Sequence, residues 1–210
     1  FIATKVLINH GLTPQEIFFY RFLIAYIGIW AISPKHLFAD NLKDELWLVA
    51  GGVFGGSLYF FTENTALGIT QASNVAFIIC TAPLLTTILS LLFYKSEKAT
   101  KGLIYGSLLA LIGVGLVVFN GSVVLKLSPV GDLLTLLAAL SWAFYSLVIK
   151  RMTGRYPTVF ITRKIFFYGV LTILPAFLLH PLQPDFDVLL QPLVLSNLLF
   201  LAVLASLICY

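Results

Sequence analysis

Eight apolar stretches, at roughly residues 1–8, 17–32, 46–67, 72–93, 102–119, 131–149, 159–179 and 193–210, divide this 210-residue chain. A helix needs about 20 apolar residues, each rising about 1.5 Å, to cross a bilayer. Six of the eight stretches approach or exceed that length. Hydrophobic residues make up 60% of the chain and charged residues 10%, whereas a soluble domain carries about 25% charged residues to cover its surface. Lipid is therefore the solvent for most of the surface, and every backbone polar group must be paired internally, by helices or by a closed barrel. Continuous apolar runs, without alternation, exclude the barrel. The expected fold is an all-α, polytopic membrane bundle.

The loops between the stretches carry a one-sided charge. Those after the second, fourth and sixth stretches hold Lys35, Lys43, Lys95, Lys98, Lys101, Lys150, Arg151 and Arg155, while the odd-numbered loops hold Lys126 alone. The positive-inside rule then places the even loops in the cytoplasm of a multi-pass inner (plasma) membrane protein. The net charge of +4 comes from this asymmetry. Dispersed over three loops, the basic residues do not form a nucleic-acid stripe. Cys80 and Cys209 lie inside apolar stretches and read as small buried hydrophobes. The chain opens and closes inside apolar stretches, so both ends are expected to be limits of a fragment.

Many transporter folds are inverted duplications. A shift of 143 residues places Phe1 on Phe144, Gly11 on Gly154, Pro14 on Pro157 and Arg21 on Lys164. Five crossings separate the first and sixth stretches, an odd number, so the two copies would run in opposite directions.

The block from Ala72 to Gly121 reads ASNVAFIICTAPLLTTILSLLFYKSEK and then GLIYGSLLALIGVGLVVF, with Pro83-Leu84, Glu97-Lys98 and Gly113-Val114-Gly115-Leu116 as its marks. Gly131 to Ala143, GDLLTLLAALSWA, follows at the start of the sixth stretch. This pattern resembles the EamA-type transporters of the drug/metabolite transporter superfamily. The resemblance implies ten helices in two inverted five-helix repeats, of which about eight helices are present here. The first repeat would cover 1–121, with its first helix truncated, and the second 129–210, incomplete at its C-terminus. Members resembling this family often carry a lysine in the first helix, where Lys5 stands.

Charges within a bilayer are expensive, at about 2.5–3.5 kcal/mol each on insertion scales, and persist where they face a cavity or a partner. Arg163 and Lys164 lie near the cytoplasmic start of the seventh stretch and are expected to snorkel. Arg21 either snorkels or faces inward. Lys5 and Glu63 have similar depths in the outer third, which suggests a salt bridge across the bundle. They form either the charged wall of a substrate cavity, with Glu63 as ion-coupling carboxylate, or a structural pair. Asn64, Asn74, Thr81, Trp142 and Tyr145 are further cavity candidates. Pro83 should free a backbone carbonyl near Ile79 and break the fourth helix. Gly51, Gly52, Gly55 and Gly56 on the third stretch, and Gly102, Gly106 and Ala110 on the fifth, form small faces for close helix approach.

His10, His36 and His180 are separated, and no Walker loop or nucleophile motif occurs, so no metal, cofactor or enzyme activity is expected. The reading is a secondary transporter, an exporter or exchanger of small metabolites such as amino acids or drugs, working by alternating access. The alternatives are an intramembrane lipid- or isoprenoid-processing enzyme and a channel or structural membrane protein. The expected partners are a small-molecule substrate and the lipid bilayer, without nucleic acid, for a monomer or homodimer.

Overall fold

The computed structural model describes residues 1–32, 37–94, 100–119, 128–179, 181–182 and 184–209. Lys35, His36, Lys95, Glu97, Lys98, Lys126 and His180 lie outside them. The described residues fold into helices without a strand. Four rods, Pro14–Ile32, Ala72–Phe93, Pro129–Thr153 and Thr158–Leu178, are long and apolar enough to cross a membrane.

The first hairpin joins α1 (Ile2–Asn9) to α2 (Pro14–Ile32). Gly11 takes a left-handed conformation there, φ +95°, which a side chain would strain. Thr13 and Glu16 start α2: the Glu16 carboxylate accepts from the Thr13 backbone N–H at 2.9 Å and from its hydroxyl at 2.7 Å. This reciprocal cap, with Pro14 at the first helical position, satisfies donors that a helix start leaves open. The turn that the 143-residue shift matches to it is built differently, because Gly154 is right-handed with φ −74°.

The third stretch forms a single rod of α3 (Leu42–Gly52), a π-helical segment (Val53–Ser57) and α4 (Leu58–Ile69). The Leu58 N–H reaches back five residues to the Val53 carbonyl, so the turn holds one residue more than an α-turn and loosens its own ladder. Neighbouring helices take up the freed groups. Ser141 on α8 (Pro129–Thr153) donates to the Phe54 carbonyl at 2.8 Å, and the Thr172 hydroxyl on α9 (Thr158–Ile173) lies 2.8 Å from that of Ser57.

The expected small face on this rod is a contact surface. A Cβ on Gly51 would lie 2.4 Å from Ile165 Cδ1, and one on Gly55 2.2 Å from the Tyr145 ring. Gly56 faces the Gly169 backbone across the crossing. The similar face on α7 (Lys101–Phe119) is not packed: Gly102 and Gly106 have nothing within 4 Å of a would-be Cβ. Instead α7 meets Phe77 through Gly115.

The fourth stretch is broken, as Pro83 predicts, into α5 (Ala72–Ile79) and α6 (Ala82–Phe93). Proline has no N–H to return to a carbonyl one turn back, and Cys80 and Thr81 form a right-handed turn between the two segments of the same span. The chain then passes through α10 (Ala176–Leu179) and α11 (Phe186–Leu189) to α12 (Pro192–Leu199), which continues into a second π-helical segment, Phe200–Ile208. Of the two cysteines, Cys80 is half-buried and Cys209 exposed, so neither is the fully buried thiol expected.

The core between α2, α4 and α9 is aromatic. Phe22 packs on Phe18 at 4.3 Å, on Phe166 at 4.9 Å and on Phe60 at 5.3 Å between ring centroids. Contacts of this kind contribute about 0.5–1.5 kcal/mol each beyond their burial.

At the end of the bundle where α3 begins, polar groups are concentrated. Asn41 caps α3, accepting from the Asp44 N–H at 2.8 Å. Arg155 pairs with Asp44 at 2.9 Å, and the Tyr156 hydroxyl donates to the same carboxylate at 3.1 Å. Beside them Lys164 and the Tyr168 hydroxyl both donate to Glu45. Arg163 and Lys164 are 2% and 3% exposed, which corrects the expectation that they snorkel: a half-buried Glu45 supplies a partner, so Lys164 need not reach water.

Burial pushes the Asp44 and Glu45 carboxyls up. Hydrogen bonds outweigh it and hold both below their ordinary range, from Asn41, Arg155 and Tyr156 to Asp44, and from Lys164, Tyr168 and the Ala39 N–H to Glu45. Each group therefore holds fewer protons folded than unfolded. Its contribution to stability is complete above the ordinary carboxylate range and is lost as pH falls through the depressed folded value. The Tm in detergent is expected to fall more steeply between about pH 5 and pH 3 for the wild type than for Asp44→Asn combined with Glu45→Gln; parallel curves would contradict this.

Candidate functional site

A cavity of about 650 Å³ lies against α1, α2, α4, α8 and the second π-helical segment. Its depth follows from residue counts. Arg21 is seven residues into α2 from Pro14, and Glu63 is six residues from the end of α4 at Ile69. At about 1.5 Å per residue each lies about 10 Å along its helix from the same end.

Two ionisable side chains of opposite sign stand in a wall that is otherwise largely apolar. Arg21 is 8% exposed and Glu63 5%. The Arg21 guanidinium donates through Nε to the Ser206 hydroxyl and through Nη2 to the Ala205 carbonyl at 3.0 Å, and it lies 4.4 Å from the Phe60 ring centroid. Glu63 accepts from the Tyr59 hydroxyl, one turn earlier on α4, at 2.7 Å. Arg21 is the side-chain cation whose field falls on Glu63. Ser206 itself donates to the Leu201 carbonyl five residues back, so the second π-helical segment presents a polar edge to Arg21.

Aromatic rings complete the wall. Trp142 stands 5.0 Å from Tyr59 and 5.0 Å from Tyr145, all three lining the cavity. Thr4 on α1 adds a hydroxyl. Such a space can hold a small molecule with an anionic group toward Arg21, a cationic group toward Glu63 and an apolar or aromatic body against the rings. Among the described residues no three His, Cys, Asp or Glu side chains are placed to hold a metal.

The sequence candidates separate into two groups. Glu63, Trp142 and Tyr145 come together in the cavity wall. Lys5, Asn64, Asn74, Thr81 and Pro83 do not line it. The expected Lys5–Glu63 salt bridge is not formed. Lys5 donates to the carbonyls of Leu67 and Thr70 at the end of α4, where a helix terminus leaves acceptors open. Asn64 donates to the Pro14 carbonyl at 3.2 Å, and Thr81 to the Ile78 carbonyl at 2.7 Å. Asn74 is buried in the first turn of α5. Nothing in the sequence alone marks Tyr59, Phe60 or Ser206 as cavity residues; they join the site through the fold. The Tyr59–Glu63 spacing of four residues, one helical turn, is the signal that ties Tyr59 to the Glu63 candidate.

The chain has relatives. A protein described as an uncharacterized transporter of Archaeoglobus fulgidus is 27% identical over 214 residues, spanning 100% of this chain and 72% of its own length. The uncharacterized transporter YdfC of Bacillus subtilis is 32% identical over 149 residues, 70% of this chain and 47% of its own. An uncharacterized transporter of Clostridium kluyveri is 26% identical over 184 residues, 82% of this chain and 58% of its own. A solved crystal structure superposes on 98% of this chain and 73% of that chain with a TM-score of 0.66 and 18% identity, a likeness of fold. The profile of the EamA-like transporter family matches residues 1–119 and 129–210. With four apolar helical stretches of membrane-spanning length, and the family profile running over nearly all of it, this multi-pass membrane chain belongs to the EamA-like transporter family.

Proposed function

We propose that the protein is a secondary carrier of small zwitterionic metabolites, amino acids or molecules of that chemistry, in the inner membrane with its even loops cytoplasmic. It works by alternating access between two inverted five-helix repeats of a ten-helix bundle, as a monomer or homodimer. The observation that carries the reading is that Arg21 and Glu63 share one cavity wall with Tyr59, Phe60, Trp142 and Tyr145. A buried charge is retained at a cost unless something uses or neutralises it. Arg21 would take the carboxylate as a fork, Glu63 the ammonium, and the rings the side chain. Glu63 is also the group on which coupling to an ion would fall.

Packing supports the two-halves reading. The third stretch lies on the sixth and seventh, and the eighth lies on the first and second, the arrangement an inverted repeat generates. Both the third and the eighth contain a π-helical segment.

Counterflow in proteoliposomes tests the function. Vesicles preloaded with a mixture of unlabelled amino acids should accumulate a labelled member of the pool transiently and saturably. Flux that rises without saturation would replace the carrier by a channel. Absence of any accumulation across a zwitterion panel would remove the substrate class.

A further inference from the structure

We propose that Asp44, Glu45, Arg155, Tyr156, Lys164 and Tyr168 form a polar latch that shuts one end of the bundle and must open in each transport cycle. The proposal rests on the carrier reading above. The end concerned is the one read as cytoplasmic from its loop charges.

The latch consists of two adjacent clusters fastened by the first turn of α3. In the first, Arg155 Nη1 lies 2.9 and 3.0 Å from the two Asp44 oxygens. The Tyr156 hydroxyl donates to Asp44 and accepts the Asp40 N–H at 3.0 Å. In the second, Glu45 receives Lys164, Tyr168 and the Ala39 N–H, the last at 2.7 Å, and Lys164 also donates to the Leu37 carbonyl at 3.0 Å. Together the clusters tie α3 and the segment before it to the α8–α9 turn and to α9. Tyr59 lies fourteen residues beyond Glu45 on the same rod, about 21 Å at 1.5 Å per residue. The latch thus stands well below the cavity wall and on the same rod.

The opposite end closes by different chemistry. The 143-residue shift pairs Asp44 with Asp187, Glu45 with Val188, Arg155 with Leu12, Tyr156 with Thr13, Lys164 with Arg21 and Tyr168 with Ala25. At that end Leu12 is buried in a cluster with Val188 and Leu189 packed against it, and Arg21 has turned to the cavity. One end is fastened by ion pairs; the other packs Leu12 against Val188 and Leu189, beside a small pocket that His10, Glu16, Tyr20 and Asp185 also line. Apolar surfaces slide with small repacking, whereas ion pairs hold one geometry and release as a unit, as switching interfaces do. Water reaches the latch from its outer side: the Arg155 side chain is 53% exposed over an Asp44 that is 2% exposed. Arg155 can therefore leave for solvent without crossing an apolar layer.

The test reads a distance across the latch in the whole protein, in nanodiscs. Native Cys80 and Cys209 are replaced by serine, and spin labels are placed at Leu42→Cys and Thr158→Cys, both exposed positions. Pulsed dipolar spectroscopy should show a short separation with the latch intact. Asp44→Asn with Glu45→Gln should add a longer population of at least a tenth of the molecules, and restoring Asp44, leaving Glu45→Gln alone, should reduce it. Should the double variant fail to fold, Arg155→Gln alone should show a smaller shift in the same direction. An unchanged distribution in the folded variants, with wild-type counterflow intact, overturns the latch. A distance shift without wild-type counterflow on any zwitterion would show that the latch opens while the carrier reading fails.

Discussion

Gly52→Val should leave little folded, monodisperse protein in detergent, and Gly52→Ala should already lower the Tm. A Cβ at this position would sit 2.4 Å from Tyr168 Cβ, 3.0 Å from the Tyr168 carbonyl carbon and 3.0 Å from the Gly169 nitrogen. Flexible side-chain ends can move aside, but two of these three atoms are backbone of α9, so the helices themselves must separate. Overpacking a close-fitted site costs about 1–3 kcal/mol and occasionally more, and here the separation would also pull at the Ser57–Thr172 and Glu45–Lys164 links. Gly106→Ala on α7 is the control, because nothing lies within 4 Å of its would-be Cβ. Thermal unfolding followed by size-exclusion fluorescence measures both. Equal losses at Gly52 and Gly106 would mean that the α3–α9 crossing does not set stability.

Arg21→Met should reduce counterflow of a zwitterion by more than a hundredfold, with a much smaller loss for the matching amine that lacks the carboxylate. Truncating one partner of a buried, hydrogen-bonded charge pair, here Arg21 against the substrate carboxylate, costs about 2–5 kcal/mol, and about 1.4 kcal/mol is a factor of ten. Arg21→Lys should recover part of the activity, since an ammonium keeps the charge but cannot present the planar fork. Glu63→Gln should reverse the preference, discriminating against the amine. Half-saturation concentrations for the two substrates in proteoliposomes measure this. If the zwitterion and the amine lost activity by the same factor in Arg21→Met, Arg21 would not be the carboxylate anchor.

The sequence was legible along the helix axes and much less so around them. Residue counts placed Glu63 in the outer third of its rod, and Glu63 does stand near the level of Arg21. The same counts put Lys5 at that level, and the salt bridge inferred from shared depth is absent, because depth says nothing about facing. Lys5 reaches the open carbonyls at the end of α4 instead. Asn64, adjacent to Glu63, points to the start of α2. The glycine pairs of the third stretch were readable because four small residues on one face need a close neighbour. The small face of α7 has the same spacing but no neighbour among the described residues, and spacing cannot distinguish the two. Pro83 was readable for a chemical reason, its missing N–H, which does not depend on context. The buried state of Lys164 was not readable, because its partner Glu45 lies over a hundred residues away and comes near it through the crossing of α3 and α9.

The π-helical turn at Val53–Ser57 divides the third rod into α3, which carries the polar cluster at its start, and α4, which packs on α8 and also turns Tyr59, Phe60 and Glu63 to the cavity. Each residue of an α-helix turns the chain by about 100°, so losing one residue elsewhere in α4 would swing Glu63 and Tyr59 out of the cavity. Within the π turn the extra residue is already accommodated as a bulge. Losing it there would restore an ordinary helix with both halves still facing as they do, at the cost of the Ser141 link to Phe54. The rod thus has one place where its length can change by a residue without turning its chemistry away from the cavity.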